Sequence, residues 1–236
     1  MAFENGDFVK IDYDEWRAAD NALVFTTDRK TAEANGVLDK DATYRPALVI
    51  VGKGSIIKGV DKAVSGMNVN EEKNIELAPA DAYGERNPQL VRIMPAAEFK
   101  KRDIDPMPGM RINLDGIAAT VKTVNSGRVV IDANHPLAGE KLRCRIKIVA
   151  KVDSDKDKIS ALSEMLNLSP KSVEVNDGSA KIVFDEKTKK DADFMVSKSA
   201  LVDAVFKYLD KINHVSVDEL YSKEAEKQPE KETEKQ

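Results

Sequence analysis

The residue types that carry most enzyme chemistry are sparse in this 236-residue chain. Its one cysteine, Cys144, lies within an alternating apolar run, which indicates a buried thiol rather than a nucleophile. Its two histidines, His135 and His214, lie far apart without a flanking cluster of metal-binding residues. We therefore expect no bound metal, no cofactor and no intrachain disulfide.

A glycine-rich segment, Gly52-Lys53-Gly54-Ser55, invites comparison with phosphate-binding loops. The spacing G-x-x-x-x-G-K-[ST] is not met, and the pattern G-x-G-x-x-G fails because Ile57 stands at its last position. The segment therefore does not predict phosphate binding.

Apolar and aromatic residues gather instead next to glycine-rich turns. They are Phe25, Ile56, Ile57, Val60 and Tyr83. This set is the candidate for a small apolar site. Each residue taken singly is also typical of ordinary core, so composition leaves both interpretations open.

The composition predicts a soluble globular protein of two or three compact units. Hydrophobic residues make up 42% and charged residues 33%, and the net charge is −4. Basic and acidic residues are interspersed, so we do not expect nucleic acid as a partner. We also expect no membrane association and a cytoplasmic location, because the sequence shows no secretory leader pattern and no long apolar span.

Alternation and turn signals predict a first set of elements up to residue 77. Strands are predicted at 8–13, 23–26, 47–51 and 71–77, with one short helix from Lys58 to Ser65. The segments 14–21 and 27–43 are predicted as loops.

The next segment has a different pattern of short strands and hairpin signals, which predicts an inserted domain. Strands are predicted at 90–94, 110–114, 117–124 and 128–131, with hairpin signals at Asp115-Gly116 and Asn125-Ser126-Gly127. A strand from Leu142 to Val152 then returns to the first sheet. Residues 1–86 with 133–152 thus form one predicted domain, and 87–132 form the insertion.

The remaining sequence predicts a third domain over residues 153–222. It contains a helix near 159–166, a hairpin at 176–178, a helix from Phe194 to Leu209 and a last strand at 214–220. Residues 223–236 are highly charged and are predicted to be disordered.

Two blocks of the sequence resemble the FKBP-type peptidyl-prolyl cis-trans isomerases. One runs from Val51 to Val91, and the other, Asp132 to Gly139, resembles the return from the inserted domain in the SlyD-like branch. The resemblance covers about residues 1–152 and is closest to the long archaeal FKBP chaperones, which carry an additional C-terminal domain. It implies an α+β fold: an antiparallel sheet curled around a short helix, an inserted mostly-β domain called insert-in-flap, and a separate α+β C-terminal domain.

The resemblance also implies roles for individual residues. Tyr13 and Phe25 would form pocket walls, Val60 the floor, Ile56 and Ile57 the rim, and Tyr83 would offer its hydroxyl to a substrate carbonyl. The insert would hold extended, unfolded chain. Candidate substrate-binding residues are Met94, Met107, Met110 and Leu137, although the methionines are equally typical of core filler.

Three positions depart from the family pattern. Thr26 stands where the pocket aspartate is expected after Phe25, Cys144 where the returning strand usually supplies an aromatic ring, and Val60 where the floor is often Trp or Leu. These departures predict a wider and less aromatic pocket.

The resulting hypothesis is a peptidyl-prolyl cis-trans isomerase and ATP-independent folding chaperone for unfolded or nascent polypeptides that contain proline. Isomerisation needs no base, because an apolar site disfavours the dipolar planar amide relative to the twisted one. The alternative is a holdase with weak or no isomerase activity. A third hypothesis makes the C-terminal domain a docking or homodimerisation unit.

Overall fold

The computed structural model describes residues 3–185 and 188–221 of the chain. The charged tail at 223–236 lies outside the described residues. Strands within them are β1 (Phe8–Arg17), β2 (Leu23–Thr26), β3 (Ala47–Ile50), β4 (Glu72–Leu77), β5 (Val91–Pro95), β6 (Arg111–Leu114), β7 (Ile117–Asn125), β8 (Arg128–Asp132), β9 (Leu142–Val152), β10 (Ser172–Asn176), β11 (Ser179–Phe184) and β12 (His214–Glu219). Helices within them are α1 (Arg29–Ala34), α2 (Lys58–Ser65), α3 (Ala96–Lys100), α4 (Asp155–Met165) and α5 (Ala192–Tyr208).

The predicted α+β class is confirmed, and contacts divide the chain into two compact units. The first comprises the chain up to Asn5 together with Val9–Ala150, and the second comprises Gly6–Phe8 and the chain from Lys151 onward. None of the helices in the described part of the chain combines the length and apolar character that crossing a bilayer requires.

A five-stranded sheet packed on α2 forms the main core of the first unit. Its order is β2-β1-β9-β4, and β3 also pairs with β1. Helix α2 contributes Val60 and Val64, both fully buried, to a core shared with β1 and β9. Gly59 brings α2 close to β4, because a Cβ at this position would touch the Leu77 side chain and lie 3.1 Å from the Asp81 carbonyl oxygen.

A four-stranded antiparallel sheet, in the order β5-β8-β7-β6, forms a second core in the same unit. The turns at Asp115-Gly116 and Ser126-Gly127 have positive φ at both residues, which is the two-residue hairpin geometry that the sequence predicted. Phe99 of α3 is fully buried and packs in the core of this sheet with side chains such as Val121 and Val129.

The second unit contains a three-stranded sheet in the order β10-β11-β12. Strands β10 and β11 form an antiparallel hairpin, whereas β12 runs parallel to β11 after the crossover through α5. Phe184 and Phe194 meet edge to face in its core, with ring centroids 5.0 Å apart.

Two segments predicted as loops are in part regular structure. Strand β1 continues through 14–17, although the charged pair Asp14-Glu15 is typical of a turn. Helix α1 interrupts the 27–43 segment, and its N-cap is Asp28, whose side chain accepts a hydrogen bond from the Thr31 N–H. Both elements are polar in sequence, so alternation and apolar periodicity do not indicate them.

Candidate active site

Six of the predicted site residues lie together in and around the core of the five-stranded sheet. Tyr13, Val60 and Cys144 are buried members of this core, and Ile56, Ile57 and Tyr83 are partly buried side chains packed against it. The structure therefore brings an aliphatic floor and two phenol rings into one place, in the first unit.

Local turns fix the outer residues of this group. Ile57 is the N-cap of α2, so Ile56 and Ile57 precede the first helical turn. Tyr83 follows a 3₁₀ turn at Pro79–Asp81, and Gly84 has a φ of 83° that lets its N–H donate to the Pro79 carbonyl at 2.7 Å.

The segment returning from the four-stranded sheet lies beside Tyr83. The imidazole of His135 stacks on the Tyr83 ring, with centroids 4.2 Å apart and planes 4° from parallel. The Gly139 N–H donates to the Gly84 carbonyl at 2.9 Å, and Arg86 forms an ion pair with Asp132. These contacts join the returning segment to the turn that carries Tyr83.

A buried carboxylate, Glu15, was not among the sequence-predicted site residues, yet it lies at the centre of the group. Its side chain accepts hydrogen bonds from the Tyr13 hydroxyl and from the Tyr83 hydroxyl, the latter at 3.0 and 3.3 Å to the two oxygens. Glu15 is 2% exposed. The alternation of β1 was the available signal, because residues 13 and 15 of a continuing strand share one face.

Burial and the Glu15 carboxylate together keep both phenols neutral. Burial, followed by the charge of Glu15, raises the pKa of Tyr13 far above its ordinary value, and the same two causes raise the pKa of Tyr83. Both hydroxyls are therefore protonated hydrogen-bond donors over the whole physiological range.

Cys144 is a buried thiol, as the sequence predicted. Its sulfur lies 3.6 Å from the Tyr13 hydroxyl, and burial raises its pKa to about 11. A neutral thiol at this position adds to the apolar wall and is not an activated nucleophile.

The register of β1 and β2 separates Phe25 from Thr26. Phe25 pairs with Glu15 and lies 5.7 Å from the Tyr13 ring, centroid to centroid, so it faces the site. Thr26 pairs with Asp14, and its hydroxyl donates to the Asp14 carboxylate. Because neighbouring residues of a strand point to opposite faces, position 25 faces the phenols and position 26 does not.

The glycine-rich segment before α2 is held by a carboxylate of the chain itself. Asp61 of α2 accepts from the Gly52 N–H at 2.8 Å and from the Gly54 N–H at 3.3 Å. The amides that a phosphate would need are therefore already engaged, which agrees with the failed sequence pattern.

The candidate substrate-binding residues lie outside this group. Met94 is partly buried against the core of the four-stranded sheet, whereas Met107 and Met110 are exposed, at 62% and 37%. Leu137 is half-buried in the returning segment after His135. Within residues 3–185 and 188–221, no group of three or more His, Cys, Asp or Glu side chains is arranged to hold a metal ion.

Two family models match the chain. The model for FKBP-type peptidyl-prolyl cis-trans isomerase matches residues 1–100, and the model for the FKBP26 IF domain matches residues 92–137.

Curated relatives carry the same description. A short-type peptidyl-prolyl cis-trans isomerase of Methanocaldococcus jannaschii is 36% identical over 145 residues, which is 61% of this chain and 91% of the relative. The FKBP-type isomerase SlyD of Vibrio cholerae is 31% identical over 144 residues, 59% of this chain and 71% of the relative. A probable FKBP-type 16 kDa isomerase of Pseudomonas fluorescens is 29% identical over 140 residues, 57% of this chain and 92% of the relative.

Proposed function

This chain belongs to the FKBP-type peptidyl-prolyl cis-trans isomerases. We propose that the X-Pro bonds of its substrates isomerise in a pocket built from Tyr13, Ile56, Ile57, Val60 and Tyr83. The observation that carries this proposal is the group of apolar side chains around two neutral phenol donors. Rotation about the X-Pro bond transfers no proton to a base, so the reaction requires neither a base nor a nucleophile.

The barrier to rotation about an X-Pro bond is about 18–20 kcal/mol, because rotation breaks amide resonance. An apolar pocket of this kind receives the proline ring and removes water from the amide. The planar amide is more dipolar than the twisted one, so desolvation disfavours the ground state more than the transition state. A hydrogen bond from Tyr83 that fits only the twisted geometry adds to this difference.

Isomerisation of a short X-Pro peptide tests the pocket and distinguishes an isomerase from a pure holdase, which would not accelerate the peptide. We expect Tyr83→Phe to lower kcat/KM roughly three- to tenfold, the effect of one lost hydrogen bond. Tyr44→Phe is the matched control, because the Tyr44 hydroxyl accepts from the Asp39 N–H away from this group. Equal rates for wild type and Tyr83→Phe would remove the Tyr83 hydroxyl from the mechanism.

We propose in addition that residues 87–132 act as an insert-in-flap chaperone domain for unfolded, proline-containing chains, without ATP. What supports this is an exposed apolar set on the four-stranded sheet and the segments joining its strands: Leu90, Ile93, Met107, Met110, Ile117 and Val124. An extended chain without tertiary structure offers the apolar side chains that such a surface binds.

The proposed domain boundaries remain those predicted from the sequence, with a C-terminal domain over 153–222 and a cytoplasmic location. Homodimerisation through the C-terminal domain also stays a prediction. Light scattering on the full chain checks it, and a monomeric mass at micromolar concentration would contradict it.

A further inference from the structure

Glu15 is a carboxylate in a pocket that is otherwise apolar and neutral. It is 2% exposed, and the donors that reach it are the hydroxyls of Tyr13 and Tyr83. A buried carboxylate is costly unless it accepts hydrogen bonds, so these phenols and this carboxylate depend on one another. Each phenol has a single O–H, and both are directed at Glu15.

The neighbouring strand explains how the carboxylate comes to lie there. Glu15 of β1 stands opposite Phe25 of β2, on the face that carries Tyr13. Asp14 and Thr26 stand opposite each other on the other face, where Asp14 also pairs with the Arg145 guanidinium. An acid at position 15 or at position 25 therefore faces the phenols, and an acid at 14 or 26 does not.

We propose that Glu15 is a positioning residue for prolyl isomerisation. From β1 it fixes the hydroxyls of Tyr13 and Tyr83. A carboxylate at position 25 of β2 would lie on the same face and could do the same. This inference rests on the proposed pocket. Tyr13 is buried and stays on the carboxylate, whereas Tyr83 is half-buried and turns its O–H to the substrate carbonyl. Tyr13 then keeps the carboxylate hydrogen-bonded while Tyr83 donates its hydrogen bond to the substrate carbonyl.

The first test is Glu15→Gln, which preserves size and removes one acceptor oxygen. We expect kcat/KM for a short X-Pro peptide to fall about tenfold, the effect of losing one charge-assisted hydrogen bond. Tyr83→Phe should then cost much less in Glu15→Gln than in wild type, because the two changes remove the same interaction. Independent, additive losses would indicate that Glu15 acts only on stability.

The second test moves the carboxylate across the strand pair. We expect Phe25→Asp added to Glu15→Gln to recover at least severalfold of the lost kcat/KM, and Thr26→Asp added to the same variant to recover none. Near-ultraviolet circular dichroism identifies folded variants, and recovery by Phe25→Asp is measured against Phe25→Asn in the same Glu15→Gln background, because asparagine removes the same ring without adding a carboxylate. Equal recovery by both, or recovery by neither, would overturn the proposal.

A rim variant separates this inference from the proposed pocket. Ile57→Lys places a cation at the partly exposed mouth and should abolish peptide isomerisation if the pocket is correct. Full activity of Ile57→Lys would refute the proposed pocket and, with it, the proposed role of Glu15. Loss of activity in Ile57→Lys beside wild-type rates in Glu15→Gln would leave the pocket standing and refute the role of Glu15.

Discussion

Two adjacent carboxylates on β1 are buried in different ways, and the difference sets the chemistry of the pocket. Asp14 is 1% exposed and accepts from the Arg145 Nε at 2.7 Å, so its charge is compensated by a cation. Glu15 accepts instead from neutral phenols. The phenol O–H groups that stabilise Glu15 can also donate to a substrate. A cation paired with the carboxylate would supply no such hydroxyl donor.

Because of the buried Cys144 thiol, we expect the free energy of unfolding to fall at alkaline pH. Its pKa rises from 9.0 to about 11 on burial, so the folded state retains a proton that the unfolded state releases. Its contribution is therefore fully present below pH 9.0 and is lost as the pH rises to about 11. At about 1.4 kcal/mol per pKa unit, we expect wild type to lose about 2 to 3 kcal/mol more than Cys144→Ala over this range.

Urea unfolding of both proteins, below pH 9.0 and near pH 11, measures this difference. The cavity left by Cys144→Ala shifts both of its midpoints equally and so cancels. Parallel losses in wild type and variant would show that the Cys144 thiol makes no contribution.

At the residue scale, the sequence identifies which side chains lie near the site better than it identifies the strand face from which each one projects. Tyr13, Val60 and Tyr83 were named from the family resemblance and do lie together. Glu15 is absent from the predicted site because β1 is predicted to end at Tyr13, and the observed register pairs Thr26 with Asp14 and Phe25 with Glu15. Register depends on the partner strand, so a one-residue error reverses the face.

At the element scale, the close packing of α2 on β4 rests on one glycine. Adding a Cβ at Gly59 would force it into the Leu77 side chain and within 3.1 Å of the Asp81 carbonyl oxygen. Alanine favours a helix over glycine by about 1 kcal/mol, but overpacking a buried contact costs about 1–3 kcal/mol. We expect Gly59→Ala to be net destabilising and to lower peptide isomerisation, because Val60 next to it is the floor of the proposed pocket.

Gly66 offers the matched control for this prediction. It is the C-cap of the same helix with φ of −97°, and the nearest atom to an added Cβ is the Ala63 carbonyl oxygen at 3.8 Å. Gly66→Ala should therefore keep the wild-type melting temperature and activity. A Gly59→Ala protein as stable as Gly66→Ala would mean that α2 and β4 can separate without cost.

The elements that the sequence predicted well are those with local causes. The hairpin at Asp115-Gly116 follows from two residues that tolerate positive φ, and α2 follows from its apolar period and from Gly66. Helix α1 was missed because it is six residues long with one buried side chain, Ala32. Short polar elements of this kind are stabilised by tertiary contacts that local patterns do not report.

At the scale of the whole molecule, the proposed function assigns catalysis and client binding to different surfaces of the first unit. The proposed pocket presents the partly buried side chains of Ile56, Ile57 and Tyr83 to one proline, whereas the four-stranded sheet exposes apolar side chains to an extended segment. On this proposal, a client held on the sheet would present its prolines to the pocket at a high effective concentration. A short peptide cannot use both surfaces, so it reports on the pocket alone.

This separation predicts that a sheet variant slows protein substrates and spares peptides. Ile93, which is 67% exposed on β5, is replaced by serine, and Val196→Ser in the second unit is the matched control, at 70% exposure. We expect Ile93→Ser to reduce the acceleration of a proline-limited refolding reaction about three- to tenfold, because apolar contact with the client is lost. Its kcat/KM for a short X-Pro peptide should match wild type, and Val196→Ser should change neither rate. If Ile93→Ser refolds the protein substrate as fast as wild type, the four-stranded sheet does not bind clients through this face, and the affinity for unfolded chains must lie in the pocket itself.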